Sequence, residues 1–197
     1  MDIEKTIKNL KARGFEVSYF KTGDEASGYL NEKIDGEKVA FGGSMTVQEL
    51  GLYESLGEHN DVFWHWKTVD PNQKIIEAER TVYVTSANAV SEDGEIVNID
   101  GAGNRVAHSV YGKKKVYFVC GINKIAKDFD AAVKRARQVA APKNAQRMNR
   151  NTPCVKTGKC ADCKSDERIC NILTVLLGKP MRMESVEVVL IGEDIGY

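Results

Sequence analysis

One of the places in this chain where an apolar strand pattern is followed directly by a helical pattern is the stretch Lys38-Val39-Ala40-Phe41-Gly42-Gly43-Ser44-Met45-Thr46. Its apolar start predicts a buried strand over 38–41, its glycines predict a tight turn, and a helix is predicted over 46–56. Short apolar strands and helical patterns alternate on both sides of this stretch. Such alternation is typical of a parallel sheet that is covered on both faces. We therefore expect an α/β fold, a three-layer sandwich with a mostly parallel sheet.

Length and composition agree with a single globular unit. The chain has 197 residues, of which 42% are hydrophobic and 28% are charged, and this balance argues against disorder. No apolar run approaches the roughly 18 residues of a membrane span, and the first residues lack the apolar core of a signal peptide, so we expect a cytoplasmic protein. No linker divides the chain. We expect one domain over 1–197, with 142–170 as a cysteine-bearing surface insertion.

The distribution of charge is uneven although the formal net charge is zero. Residues 1–100 carry a net charge of −9 and residues 101–197 carry +9, with the densest group of bases over 134–168. The balanced total excludes the overall basic character of a nucleic-acid-binding protein. The basic segment is interpreted either as a solvated face or as a site for something anionic.

The glycine loop after the predicted strand 38–41 is the first candidate site. Gly42 and Gly43 allow a ligand to approach the backbone closely, and Ser44 and Thr46 add hydroxyl groups. The free N–H groups at the start of the following helix favour an anion. The alternative is a plain strand–helix turn in which Ser44 or Thr46 caps the helix. No Gly-Lys-Ser/Thr follows, so the loop is not a Walker A motif.

A second loop combines an acid, an amide and a guanidinium within six positions. Asp100, Gly101, Gly103, Asn104 and Arg105 follow a predicted strand. Arg105 is suited to holding a carboxylate or phosphate, and Asp100 is suited to accepting hydrogen bonds from hydroxyls or acting as a base. The alternative is a surface loop in which Arg105 pairs with Asp100.

Two histidines are weighed against this second loop. His108 follows Arg105 by one helical turn, which allows it to face the same pocket. His65 lies in a predicted strand over 61–66 and is interpreted as a packed strand residue. The chain has no HExxH sequence and no Ser-His-Asp order, so zincin and serine-hydrolase functions lack support.

Four cysteines within 17 residues form the third candidate site, at Cys154, Cys160, Cys163 and Cys170. Thiolates favour zinc or iron–sulfur clusters, and four of them complete a tetrahedral zinc site or hold a 4Fe–4S cluster. The ligand types do not separate these two metals. The alternative is a loop of free thiols in which Cys160 and Cys163 form an occasional disulfide.

Taken together, these motifs resemble the LUD family, the lactate-utilisation domain formerly called DUF162. The short-form branch of that family has a similar four-cysteine segment. The resemblance spans nearly the whole chain and lies in five segments: Gly42–Thr46 with Glu49–Leu52, Thr85–Val90 with Glu92–Gly94, Ile99–Ala107, Pro153–Asn171 and Val188–Tyr197.

The resemblance implies a fold and a set of site residues. The fold it implies is similar to the NagB/RpiA/CoA-transferase-like fold, in which ligands sit over the strand ends. The predicted catalytic residues are Asp100, Arg105 and His108. The predicted ligand-binding residues are Gly42, Gly43, Ser44, Thr46, Asn88, Gly101, Gly103 and Asn104, and the predicted metal ligands are Cys154, Cys160, Cys163 and Cys170.

Three functional hypotheses follow. The first is an accessory protein or subunit of an iron–sulfur system that oxidises L-lactate to pyruvate, with iron–sulfur oxidoreductase subunits as partners. The second is a small-molecule enzyme or sensor that binds a phosphorylated or carboxylated ligand. The third is an interaction protein in which the cysteines hold structural zinc. Both an enzyme and a binding protein fit these motifs, and neither a nucleic-acid partner nor a membrane span is expected.

Overall fold

The computed structural model describes residues 1–197 as ten strands and nine α-helices. The strands are β1 (Glu16–Phe20), β2 (Lys38–Phe41), β3 (Asp61–Phe63), β4 (Val82–Thr85), β5 (Ala89–Ser91), β6 (Ile96–Asp100), β7 (Lys115–Gly121), β8 (Ile125–Ala126), β9 (Ile172–Leu176) and β10 (Ser185–Ile191). The helices are α1 (Ile3–Ala12), α2 (Gly23–Lys33), α3 (Met45–Glu49), α4 (Leu52–Gly57), α5 (Gln73–Glu79), α6 (Asn104–Val110), α7 (Phe129–Arg135), α8 (Ala141–Arg147) and α9 (Pro153–Thr157).

The main sheet has six strands in the order β1-β10-β7-β4-β2-β3, and every pair in it is parallel. This confirms the predicted α/β fold with helices flanking a parallel sheet. Because the strands are parallel, their carboxyl ends all lie along one edge. The loops after β2, β3, β4 and β7 therefore start next to one another, although they are far apart in sequence.

Successive side chains of each strand point to opposite faces of the sheet and pack into two separate hydrophobic cores. In β2, Val39 and Phe41 join a cluster with Leu30 of α2 and Leu52 of α4. Ala40 points to the opposite face and joins a cluster that includes Leu10 of α1 and other strands. Both clusters contain 15 buried residues, so the sheet is covered equally well on its two sides.

A second sheet, in the order β8-β5-β6-β9, was not expected from the sequence. Its β5 and β6 form an antiparallel hairpin. The sequence Asp93-Gly94 between two apolar runs predicts a tight turn, and the structure has this turn, with Gly94 at φ +95°. Residues Val90, Ile96 and Leu176 of this sheet pack against the main sheet. The strands were too short, and their partners too distant in sequence, for their pairing to be predicted.

Two predicted helices are divided. The helix expected over 46–56 breaks at Gly51, which has φ +61° and separates α3 from α4. Apolar residues at helical spacing over 122–140 predict one long helix that ends before Pro142. This prediction is wrong in its first part, since residues 122–124 form a 3₁₀ turn and β8 follows. Residues 136–140 form a π-turn, and Pro142 lies in the first turn of α8 instead of ending a helix. The wider π-turn accommodates Pro142, which has no backbone N–H group to donate an α-helical hydrogen bond.

Residues 142–170 contain α8 and α9 followed by a segment without regular structure. Their role as an insertion within a single domain stays a prediction. None of the helices combines the length and the apolar character that crossing a membrane requires.

Candidate functional site

A large cavity of about 590 Å³ lies at the carboxyl edge of the main sheet. One wall comes from the loops after β2, β3, β4 and β7, and the other comes from the β6–α6 loop, α8 and residues 166–171. The two glycine loops identified in the sequence meet here, because Ser44 and Asn104 both line this cavity. Its position follows from the parallel sheet, which collects loops at one edge.

The glycine loop after β2 needs both of its glycines for space. A Cβ on Gly42 would lie 2.5 Å from Thr85 Oγ1, and one on Gly43 would lie 2.7 Å from the Trp66 ring. Ser44 caps α3 by accepting a hydrogen bond from the Val47 N–H at 3.2 Å. Gly43 and Ser44 line the cavity, whereas Gly42 does not.

Lys124 lines the cavity and is not among the site residues predicted from the sequence. It follows β7, is 3% exposed, and donates hydrogen bonds to Thr46 Oγ1 at 2.7 Å and Ser86 Oγ at 2.8 Å. It forms no ion pair with a carboxylate. Burial lowers the pKa of Lys124 to about 8, helped by the cationic Arg135 and Arg105. Thr46, a predicted ligand residue, thus contacts Lys124 and does not itself line the cavity.

The sequence contains a pattern that could have indicated the role of Lys124. The sequence places a lysine three residues after an apolar strand whose end lies at the ligand edge of a parallel sheet. The apolar spacing of 122–140 masks this pattern, because it predicts one helix and places Lys124 inside the helix instead of at a strand end.

The β6–α6 loop supplies a carboxylate and a guanidinium that are not paired with each other. The Asp100 carboxylate accepts hydrogen bonds from the N–H groups of Gly101 at 2.7 Å and Val106 at 3.1 Å. Arg105 donates to the carbonyl of Ile99. The arginines that do form ion pairs are Arg13, Arg80, Arg137 and Arg168. The Arg105–Asp100 pair considered as an alternative is therefore absent.

The neighbouring predicted residues divide between the cavity lining and its support. Asn88, Asp100, Gly101, Asn104 and Arg105 all line the cavity. Gly103 does not; it has φ +87° and precedes α6 as its N-cap, which turns the chain so that Asn104 and Arg105 face inward.

His108 does not line the cavity, which corrects the expectation that it faces the same pocket. Its Nε2 lies 3.3 Å from Glu77 Oε2, and His65 Nδ1 lies 3.2 Å from Glu77 Oε1. His65 is the histidine that lines the cavity, because β3 ends at Phe63 and the strand alternation assumed for His65 does not apply. Asn104 Nδ2 lies 3.5 Å from His65 Nε2, which links this network to the cavity.

The buried Glu77 holds the two histidines in place. Burial opposes the ionisation of Glu77, but hydrogen bonds with His108 and His65 outweigh it and lower the pKa of Glu77 to about 2. The carboxylate is therefore charged at neutral pH and fixes the orientation of both rings.

The rim of the cavity adds further positive charge. The Arg147 guanidinium lies 4.5 Å from the centre of the Trp66 ring and donates from Nε to Tyr197 Oη at 2.9 Å. The buried Nε of Arg150 has no hydrogen-bond partner. In total five cationic side chains line the cavity against three acidic ones: Lys124, Arg105, Arg147, Arg150 and Arg168 against Asp100, Asp166 and Glu167.

The four predicted metal ligands lie beside this cavity. Cys154, Cys160, Cys163 and Cys170 line one small separate cavity, and all four are free thiols. Burial raises the pKa of Cys170, and the three neighbouring thiols add to this effect. No group of three or more His, Cys, Asp or Glu side chains is arranged to hold a metal ion. Four thiols around one cavity are the donor types of a thiolate metal centre.

Arg168 connects the thiols to the large cavity. It lines both cavities, and it donates to the carbonyls of Cys163 at 2.7 Å and Cys170 at 3.1 Å. The neighbouring Ile169 carbonyl leaves no room for a side chain on Gly101, since a Cβ there would lie 2.9 Å away. The cysteine segment therefore forms part of the wall of the large cavity.

A comparison with known protein families establishes the family of the chain. The family model of the LUD domain matches residues 3–191. The chain belongs to the LUD domain family. This confirms the resemblance seen in the sequence and, at the level of the family, a protein of the lactate-utilisation type.

A solved structure agrees with the fold of this LUD protein. The chain is similar to the crystal structure of a DUF162 family protein from Deinococcus radiodurans, with 12% sequence identity and a TM-score of 0.57. The similarity covers 96% of this chain and 95% of the other. At this identity the similarity shows the fold alone. A search of curated proteins gave no match.

Proposed function

We propose that this LUD protein binds a small carboxylate or phosphate anion in the large cavity, and that it serves lactate utilisation in this way. The observation that carries the proposal is the presence of Lys124 and Arg105 in one cavity, neither of them paired with a carboxylate. Lys124 is buried, and a buried cation without a counter-charge is costly unless a ligand supplies the charge.

The surroundings of these two residues favour an anion over a neutral ligand. Five cationic and three acidic side chains line the cavity, and the acidic Asp100 is already occupied by backbone N–H groups. Arg105 offers the planar donor group that matches a carboxylate or phosphate. Trp66 and Ile99 provide apolar surface for the rest of a small molecule.

Binding is tested by thermal shift and by intrinsic tryptophan fluorescence, to which the cavity residue Trp66 contributes, with L-lactate, pyruvate, inorganic phosphate, sugar phosphates, nucleotides and CoA esters. We expect at least one anion to raise the melting temperature. Arg105→Gln is expected to weaken that binding roughly 10- to 100-fold, the value of a charged hydrogen bond. Arg182→Gln, on an exposed residue away from the cavity, is the matched control. Equal responses of wild type and R105Q to every anion would refute the proposal.

The second part of the proposal concerns the four thiols. The LUD family is associated with the oxidation of L-lactate to pyruvate alongside iron–sulfur proteins. We propose that the chain is an accessory protein or subunit of such a system and that its cysteines hold a 4Fe–4S cluster or zinc. The supporting observation is that all four thiols line one cavity, in a segment whose lysines and arginines offset thiolate charge.

Anaerobic purification with analysis of iron, sulfide and zinc tests this part. Iron and sulfide in equal amounts support a cluster and the oxidoreductase role, whereas zinc alone supports a structural clip and an interaction protein. Cys163→Ser is expected to lose the metal, and Cys120→Ser, on a buried cysteine outside the group, is expected to keep it. Protein that binds neither metal under these conditions contradicts the proposal.

A further inference from the structure

Lys124 lies where a reactive amine would meet a bound ligand. Its side chain ends in the lining of the large cavity, with Nζ between the hydroxyls of Thr46 and Ser86 at 2.7 and 2.8 Å. Neither hydroxyl is a charged partner. A buried lysine is rarely left without a carboxylate partner, and Lys124 in addition lies in the lining of a cavity that a ligand could occupy.

The charged and titratable groups around Lys124 favour its neutral form. Burial has the largest effect, and the cationic Arg135 and Arg105 act in the same direction. Cys120 and Glu49 oppose them without reversing the result. With a pKa of about 8, roughly a tenth of the amine is neutral at pH 7 and about half is neutral at pH 8. A neutral amine is the nucleophilic form.

We propose that Lys124 forms an imine with the carbonyl carbon of a small 2-oxo acid whose carboxylate is held by Arg105. This inference rests on the proposed function, because it uses the same cavity and the same anion-binding guanidinium. It adds a reactive residue and narrows the ligand class from anions in general to anions that carry a carbonyl next to the carboxylate.

The chemical step needs no oxidant and no cofactor. The nitrogen lone pair attacks the carbonyl carbon, a C–N bond forms, and the carbonyl oxygen takes up a proton. The nitrogen loses one proton to give a carbinolamine. The carbinolamine hydroxyl takes up a second proton and leaves as water while the C=N bond forms, and the nitrogen then releases its remaining proton, so the two protons lost by nitrogen balance the two carried away in the water. The hydroxyls of Thr46 and Ser86 lie within hydrogen-bond distance of the nitrogen and are placed to relay these protons.

Lys113 provides an internal comparison. Burial also lowers the pKa of Lys113 to about 8, and its exposed fraction is 4%. Its Nζ donates to the backbone carbonyls of Glu77 and Arg80, and it does not line the cavity. If a lowered pKa were sufficient for reaction, both lysines would react. If access to the cavity is also needed, only Lys124 reacts.

The test is trapping with borohydride, which reduces an imine to a stable amine. The full chain is incubated with pyruvate and borohydride, and the product is analysed by intact mass and peptide mapping. We expect one adduct, located on Lys124, with none on Lys113. Acetone has the carbonyl but no carboxylate, so it cannot bind the Arg105 guanidinium. We expect its adduct yield to be at least roughly tenfold lower than that of pyruvate. Excess inorganic phosphate is expected to suppress the adduct.

Two variants keep the result interpretable. Lys124→Arg is expected to abolish the adduct, and Lys124→Met, which removes the buried amine, is expected to abolish it in a protein that still folds by circular dichroism. Adducts spread over surface lysines, equal labelling of Lys113, or equal reaction with acetone would overturn the inference.

The same experiment separates the inference from the proposed function. If pyruvate changes the tryptophan fluorescence but borohydride traps nothing, the anion site stands and the imine is refuted. If neither pyruvate nor any other anion binds, the proposed function fails and the imine fails with it. If pyruvate is trapped at Lys124, both are supported.

Discussion

Replacing Lys124 by methionine is expected to stabilise the protein near neutral pH. The folded protein lowers the pKa of Lys124 to about 8, against 10.5 for an exposed lysine. This difference corresponds to a cost of about 3 kcal/mol for folding with a charged lysine at pH 7. Methionine has a similar length and carries no charge. Thr46 and Ser86 keep hydrogen-bond partners in the carbonyls of Ile195 and Ala87.

The pH dependence gives the prediction its sign. Because the folded state binds its proton more weakly, the wild type recovers stability as pH rises from about 8 towards 10.5. The advantage of Lys124→Met is therefore expected to fall by roughly half by about pH 9.5. Urea unfolding at neutral and alkaline pH measures the difference in free energy of unfolding between the two proteins. Groups that titrate equally in both proteins cancel from this difference.

The matched control is Lys127→Met, since Lys127 is largely exposed and its charge is solvated. It is expected to change the free energy of unfolding by less than about 0.5 kcal/mol. The reasoning fails if Lys124→Met is less stable than the wild type at neutral pH, or if its advantage is the same at both pH values. Stabilisation on loss of a site residue is typical of positions kept for function.

Three further predictions concern other parts of the site. Gly42→Ala is expected to lose about 1–3 kcal/mol of stability in urea unfolding, because its Cβ meets Thr85 Oγ1 at 2.5 Å, whereas Gly28→Ala, in open space within α2, is expected to be neutral or stabilising. The wild type is expected to lose stability as pH falls from about 4.5 to 2, as Glu77 is protonated, and Glu77→Gln is expected to show a shallower acid transition by circular dichroism; identical acid transitions contradict this role. In reduced, metal-free protein Cys170 is expected to alkylate more slowly than Cys160, because burial raises its pKa; mass spectrometry of a timed iodoacetamide reaction checks the order, and faster reaction at Cys170 disproves it.

Local signals in the sequence predicted the main fold well. The strand at 38–41, the hairpin turn at Asp93-Gly94 and the alternation of strands with helices all depend on residues close together in the chain. The second sheet escaped prediction, because β9 pairs with β6 across more than 70 positions and each strand is short. Pairing at such separation depends on the packing of the whole chain.

The site shows the same division. Both glycine loops were found because a strand end followed by glycines and polar residues is visible locally. The roles of His65 and Arg147 were not visible, since each faces the cavity only through its element's position in the fold. The role of Lys124 was masked by the helix predicted over 122–140. His108 was misplaced for the same reason, because one turn of helix does not specify which neighbour the side chain meets.

By itself, the sequence determined the family, the parallel α/β architecture and the two loops that reach the ligand edge, because propensity, turn chemistry and hydrophobic period act over a few residues. Only the tertiary structure decided that an unpaired lysine and an unpaired arginine share one cavity. The energy of a buried charge depends on every group around it, and those groups come from all parts of the chain.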